Sequence, residues 1–400
     1  MSEEGDPRPV PFRSGRLVDR LRVPPSALPG GREERHASWL ELFFDLAFAL
    51  ALTVVLGRLD DDPSPPNAEV VITVGLYGIL WWSWGGHAFY DTRFDPDDLP
   101  HRLGVLLAML GAGAMALGAR EPVESRLLPI GYLAARGVLI LLYLRVRTTT
   151  PAANQLTRVY HIGFTAGWLL WLASLAVPEQ MRPVLWIAGF LVEFATPWVG
   201  RHWLLRFPVH PSHLPERIGQ FTIILLGTTL VDLLNAVPRA TSARMLVSTA
   251  LAFAVIASIW WVYTTFVSTG MALRRLSAGL AYAYVHAVHG AALLFIGWAL
   301  GQTLRQIATG SARMPEMLRL LLGGSLIIWM LCGLAMQLIY ARRLDRVRFA
   351  IGCGGVTGLA LLVGTIPDPR IVLPPLAALL VCYSVLVSRQ IARISARLAR

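Results

Sequence analysis

The residues best placed to do chemistry are two acids, Glu41 and Asp45. They lie four apart near the start of the apolar stretch WLELFFDLAFALALTVVLG, Trp39 to Gly57. On a helix that spacing puts both carboxylates on one face, one turn from each other. An ionised group at bilayer depth costs about 2.5–3.5 kcal/mol even on the lenient insertion scale, so such residues face a bundle interior and mark function. Two like charges this close in a low dielectric do not both ionise easily, and one is expected to hold a proton at neutral pH. That is the chemistry of proton coupling or cation binding. The competing reading is an ion pair with arginine, Arg217 or Arg136, that locks helices together.

Other polar residues in apolar surroundings extend the candidate set. Arg136 sits between Ala134-Ala135 and Gly137. Small neighbours allow close helix approach, so a salt bridge from Arg136 to a first-helix carboxylate is expected. Glu193 lies near Pro197, which frees a backbone carbonyl and kinks its helix. It is a third candidate buried acid, with packing or pairing as its plainer role. Glu216, beside Arg217, joins the candidate ion or substrate pathway. His87 and Asp91 share a helical face and precede Asp95, Asp97 and Asp98. That acid cluster would attract cations, or, more plainly, cap the next helix. His286 and His289 are three apart on one face. Two such histidines can begin a metal or haem site, but a third ligand is required and none is evident. Mutual hydrogen bonding or a solvated cavity is the plainer reading. Trp81, Trp82, Trp260 and Trp261 read as packing groups or interfacial anchors.

The elements that must position these residues are transmembrane helices. The 400-residue chain has 55% hydrophobic and 15% charged residues and a mean hydropathy of +0.54. The hydrophobicity comes in blocks of about 20 residues, the length that crosses a hydrocarbon core. Twelve spans are predicted, at 38–57, 68–90, 103–119, 127–145, 159–177, 183–205, 215–236, 243–269, 278–301, 316–341, 346–366 and 370–388. The shortest turns fall around Arg182 and Asp368. Residues 1–37, rich in Pro, Gly and Arg and without an apolar h-region, read as a disordered basic cytoplasmic tail.

All 36 basic side chains are arginine, for a formal net charge of +11. They gather in the first tail, in alternate loops (Arg145 to Arg158, Arg201 to Arg217, Arg274-Arg275, Arg342 to Arg348) and at the C-terminal end. The first loop on the other side carries Asp60-Asp61-Asp62. By the positive-inside rule both termini are cytoplasmic. The same placement explains the basic balance by topogenesis, so no nucleic-acid partner is expected. A faint repeat supports two six-helix halves, 38–205 and 214–390, in parallel orientation. Glu41 opens a span followed by Trp81-Trp82, and Glu216 opens a span followed at a similar distance by Trp260-Trp261. In repeat transporters the site lies where repeats meet.

Soluble-enzyme motifs are absent from the sequence: there is no Walker-type loop, no G-x-S-x-G elbow and no HExxH. The glycine-rich patch Gly352 to Gly358 lies in an apolar span and fits helix packing. Cys332, Cys353 and Cys382 show no paired spacing and read as small buried hydrophobes.

Three stretches resemble the bacterial low temperature requirement A (LtrA) family. They are LELFFDLAFALALT (Leu40 to Thr53), WWSWGGHAFYDTRFDPDDLPHR (Trp81 to Arg102) and HLPERIGQFTIILLG (His213 to Gly227). Their order and spacing fit, and the resemblance covers most of residues 36–390. It implies an integral membrane protein tied by name to growth in the cold, and no particular biochemical activity. Family members commonly carry a glutamate after the glycine of the third stretch, where this chain has Thr228. A looser likeness links Phe43 to Thr53 with the first pore helix of lysosomal and bacterial potassium channels marked by a Phe-Ser-Asp motif. Here Phe44 holds the middle position, and Gln220 stands where the second half would carry an aspartate.

The expectation is therefore an all-α, twelve-span protein of a bacterial cytoplasmic membrane. Its leading function is transport or conduction of a small ion or solute along Asp45, Glu41 and Glu216, with no cofactor. The bilayer and the transported species are its partners, and a homo-oligomer is left open. One rival is a membrane enzyme or accessory protein acting on lipid or envelope intermediates, with a divalent cation at Asp91 to Asp98. Another is a structural or sensory protein whose buried charges merely pair. Carboxylates converging on a wet cavity would favour transport; carboxylates each met by arginine would favour structure.

Overall fold

A computed structural model of the chain describes residues 26–27, 37–95, 98–204, 209–210, 212–268, 280–341 and 346–398. The tail before residue 37 lies outside them save for Ser26–Ala27. So do the loop positions Arg206, Arg274-Arg275 and Arg342-Arg343, Asp97, and the side chain of Asp95. Helices dominate. In chain order the long ones are α1 (Trp39–Leu56), α2 (Asn67–Asp91), α3 (Leu99–Gly118), α4 (Leu127–Thr149), α5 (Asn154–Ala173) and α6 (Arg182–Val199). After a four-residue turn at Arg201–Leu204 come α7 (His213–Asn235), α8 (Ala243–Ser268), α9 (Leu280–Ala308), α10 (Glu316–Ala341), α11 (Arg346–Thr365) and α12 (Pro369–Leu398). The two-residue strands β1 (Ser26–Ala27) and β2 (Phe94–Asp95) pair antiparallel, with Ser26 opposite Asp95.

Eight of these helices are long and apolar enough to cross a membrane: α1, α3, α4, α7, α8, α9, α10 and α12. Among the others, α2 spends its second half on Trp-Ser-Trp-Gly-Gly-His rather than aliphatic residues, and the apolar part of α11 is only Phe349–Thr365. Several helices outrun the hydrophobic blocks that announce them. The ninth, expected to end at 301, continues to Ala308, and the twelfth, expected to end at 388, continues to Leu398. Hydrogen bonding from i to i−4 does not stop where hydropathy does, so polar turns extend the rods.

The helices are apolar on both sides, as expected for a bundle whose outer solvent is lipid. Phe48, Leu80 and Leu300 are fully covered, whereas Leu110 is 71% and Leu234 68% exposed. Lipid is as apolar as leucine, so association depends on close packing rather than on removal from water. A Cβ added to Gly111 of α3 would stand 2.6 Å from the Gly131 carbonyl of α4, so the two backbones touch there. Helix α1 packs on α2 and α3, and α7 packs on α8 and α9, but α8 also packs closely on α12 whereas α2 makes no comparable contact with α6 among the described residues. The first six helices meet the last six chiefly through α1 against α7, with α9 reaching α1 and α2. The tryptophan pairs do not correspond so closely. Trp81 and Trp82 are buried, while Trp260 and Trp261 face outward and Trp261 Nε1 donates to Ser388 Oγ at 2.9 Å.

Candidate functional site

The start of α1 is fixed by a capping box: Glu41 N donates to Ser38 Oγ at 3.3 Å and Ser38 N donates to Glu41 Oε2 at 2.7 Å. One carboxylate oxygen of Glu41 is thus used by the backbone, and Oε1 points on toward α7. There it lies 3.5 Å from His213 Nε2 and 3.4 Å from Arg217 Nη1. One turn deeper, Asp45 Oδ1 accepts from Arg217 Nη2 at 2.7 Å and from Trp84 Nε1 of α2 at 2.8 Å. Trp84 stacks on Phe221 of α7 at a ring separation of 4.0 Å, which fixes its indole nitrogen. Asp45 and Arg217 are both 0% exposed. Glu41 and Asp45 on α1 therefore face His213 and Arg217 on α7, rung against rung. Both pairs are four apart, and the two helices start at the same end of the bundle.

Two carboxylates share one guanidinium here, and the hydrogen bonding is incomplete. Asp45 Oδ2, Glu41 Oε1, Arg217 Nε and Nη1, and both ring nitrogens of His213 are buried without hydrogen-bond geometry to any protein partner. The contacts from Arg217 Nη1 and His213 to Glu41 are charge proximities rather than aligned hydrogen bonds. Such a half-satisfied network is costly in low dielectric.

Glu216 stands apart from this cluster. Its Oε1 accepts from Ala37 N at 3.3 Å and from Gln220 Nε2 at 3.3 Å, so it ties the entry of α1 to α7. Adjacent residues on a helix point to different faces, which is why Glu216 and Arg217 do different work.

Arg136 does not reach α1, contrary to the expectation from sequence. Its Nε lies 2.7 Å from Glu193 Oε2 on α6, with both side chains 0% exposed. Tyr132 OH donates to the same oxygen at 2.8 Å, and Arg136 Nη2 donates to Trp82 O at 3.3 Å. The guanidinium also lies 4.9 Å from the Phe164 ring centre and 5.5 Å from that of Tyr132. Glycines admit the pair: a Cβ on Gly86 would stand 2.5 Å from Arg136 Nη1, and one on Gly167 would stand 2.5 Å from Glu193 Cγ. Glu193, expected near a proline kink, is thereby a one-to-one partner.

His87 and Asp91 take different hydrogen-bond partners. His87 Nε2 meets Ala135 O at 3.1 Å, and Asp91 Oδ1 meets His101 Nε2 of α3 at 3.0 Å. Asp98 caps α3 by accepting from His101 N at 3.0 Å and also pairs with Arg145. Among the described residues no group of three or more His, Cys, Asp or Glu could hold a metal ion, and His286 and His289 gain no third ligand of those types. Thr228 is buried and donates to Leu225 O of its own helix at 2.8 Å. At the far end of α1, Asp60 lies 3.7 Å from Arg305 with both side chains partly exposed. Burial against α9 raises its carboxyl above the ordinary range, while Arg305 opposes that rise.

Sequence reasoning missed His213, Trp84, Tyr132 and His101. The spacing His213-x-x-x-Arg217, which mirrors Glu41-x-x-x-Asp45, was the available signal for the first.

Residues 36–388 match the family described as bacterial low temperature requirement A protein (LtrA). An uncharacterized protein of Rhizobium meliloti (strain 1021) is 29% identical over 214 residues, which is 50% of this chain and 51% of that protein. The chain thus spans about half the length of the curated relative it matches. No solved structure matches it.

Proposed function

We propose, from the premise that this chain belongs to the bacterial low temperature requirement A family, that it moves a small ion or solute across the membrane. In this reading it is a twelve-span bundle of two parallel six-helix halves in a bacterial inner membrane, with both termini cytoplasmic. The carrying observation is the buried site between α1 and α7, where one guanidinium, that of Arg217, serves both Asp45 and Glu41. A surplus carboxylate beside an incompletely bonded histidine can take up and release a proton or a small cation. The contact also joins the opening helices of the two halves, where repeat transporters place their sites. Glu41, near the start of α1, would be the entry group and Asp45 the deeper one.

The test is flux in proteoliposomes, read with a pH dye under a potassium gradient, for wild type and Asp45→Asn. Flux that vanishes in a folded Asp45→Asn protein supports the reading. Unchanged flux in that variant overturns it.

A second reading, a protein that neither transports nor turns over substrate, is favoured by Arg136 and Glu193. Each of these is met by the other, as a purely structural pair would be. For the rival membrane-enzyme reading, Asp91 meets His101, and Asp98 meets Arg145 and caps α3, while the Asp95 side chain and Asp97 lie outside the described residues.

A further inference from the structure

The second half contains a cavity of about 40 Å³ between α8, α9, α10 and α12. Its walls are mostly apolar and polarizable: Trp329, Met330, Met336 and Tyr383 line it. Two polar side chains, His289 from α9 and Gln337 from α10, also line it. His289 Nδ1 and Gln337 Oε1 are both buried with no hydrogen-bond partner in the protein. His289 itself is 3% exposed. Buried polar atoms are almost always satisfied, so two that line one cavity call for a common partner.

His286 does not share this need. Its Nδ1 meets Tyr282 O at 2.8 Å, which makes Nδ1 the donor, and Nε2 is left to accept from Tyr263 OH at 3.5 Å. Tyr263 also stacks on His289 at a ring separation of 5.3 Å. A Cβ on Gly219 of α7 would stand 3.9 Å from the Tyr263 hydroxyl, so this ring reaches the helix that carries Arg217 two residues earlier.

We propose that this cavity is a water-binding site, with His289 and Gln337 as its polar anchors. Purely apolar cavities stay dry, whereas a water needs roughly 10–15 Å³ and two to four polar partners. The volume suits about three waters by that measure. The water brings His289 into contact with an exchangeable proton source at the level where α8 meets α7. This inference does not depend on whether the protein transports anything.

The test uses three methionines of matched burial in the full-length, lipid-embedded protein. Met115 of α3 is 0%, Met330 1% and Met336 3% exposed, but only Met330 and Met336 line the cavity. Hydroxyl radicals generated in place from water by a brief X-ray pulse oxidise side chains beside bound water. The expected result is oxidation of Met330 and Met336 at least tenfold faster than Met115. In the double variant His289→Phe, Gln337→Leu the excess should fall to the Met115 rate. Wild-type rates equal to that of Met115 would overturn the proposal, and this arm needs no variant to fold. A rate unchanged in a folded double variant would equally remove His289 and Gln337 as the anchors.

Discussion

Arg217 and Arg136 are equally buried, yet their surroundings differ in kind. Arg136 serves one carboxylate inside the first half, sits among Phe164, Tyr132 and Trp82, and is admitted by two glycines. Arg217 serves two carboxylates between α1 and α7, with His213 beside them. A one-to-one pair in a tight aromatic shell has no spare charge to exchange. A two-to-one site holds one more carboxylate than guanidinium. Buried atoms without a hydrogen-bond partner occur at both sites, Arg136 Nε and Nη1 and Glu193 Oε1 among them, so what separates the two is the number of carboxylates each guanidinium serves.

The comparison is tested most severely by removing one member of the strut. Arg136→Ala should destabilise the protein by about 3–5 kcal/mol, because Glu193 is left as an uncompensated buried charge. Reversible unfolding in detergent measures this, and a loss under ~1 kcal/mol would remove Arg136 from a structural role. Replacing both partners, Arg136→Met with Glu193→Leu, should recover most of that loss, since apolar pairs of similar volume often substitute for buried ion pairs. A double variant no more stable than Arg136→Ala would show that the pair does more than hold helices.

At the other site the readout shifts from stability to activity. Asp45→Asn keeps the shape and an acceptor for Trp84, so its stability should change by less than about 2 kcal/mol while flux is lost. Glu193→Gln, measured in the same liposomes, should retain flux. Equal loss of flux in both folded variants would erase the distinction between the sites. The smallest effect is expected at the partly exposed Asp60–Arg305 pair. Arg305→Ala should cost no more than about 1 kcal/mol, as exposed ion pairs do. A larger loss in the unfolding midpoint would mean that this end of α1 is also a load point.

Much of this was legible in the residues. Blocks of apolar sequence announce each long helix to within a few residues at most ends, because a membrane span must satisfy its backbone internally. Glu41 and Asp45 stand out for the same reason: acids at that depth need a reason to be there. Their partner was only half legible. Arg217 and Arg136 were equally good candidates from sequence, since both lie near helix ends or small residues. Nothing local says that α4 turns Arg136 toward α6 and away from α1. His213 was readable only once α1 and α7 were known to run side by side.

The sequence by itself determined that this is a helical membrane protein, where its long apolar segments lie, and which few ionisable residues stand within them. Those follow from local periodicity and transfer free energy, which act residue by residue. Only the tertiary structure decided which charges meet: Asp45 with Arg217, Glu193 with Arg136, Asp91 with His101. It also decided that His289 and Gln337 share a cavity. Partners of that kind come from different helices, and their meeting is set by helix rotation and by glycine-permitted close approach. Both are properties of packed pairs rather than of any one segment.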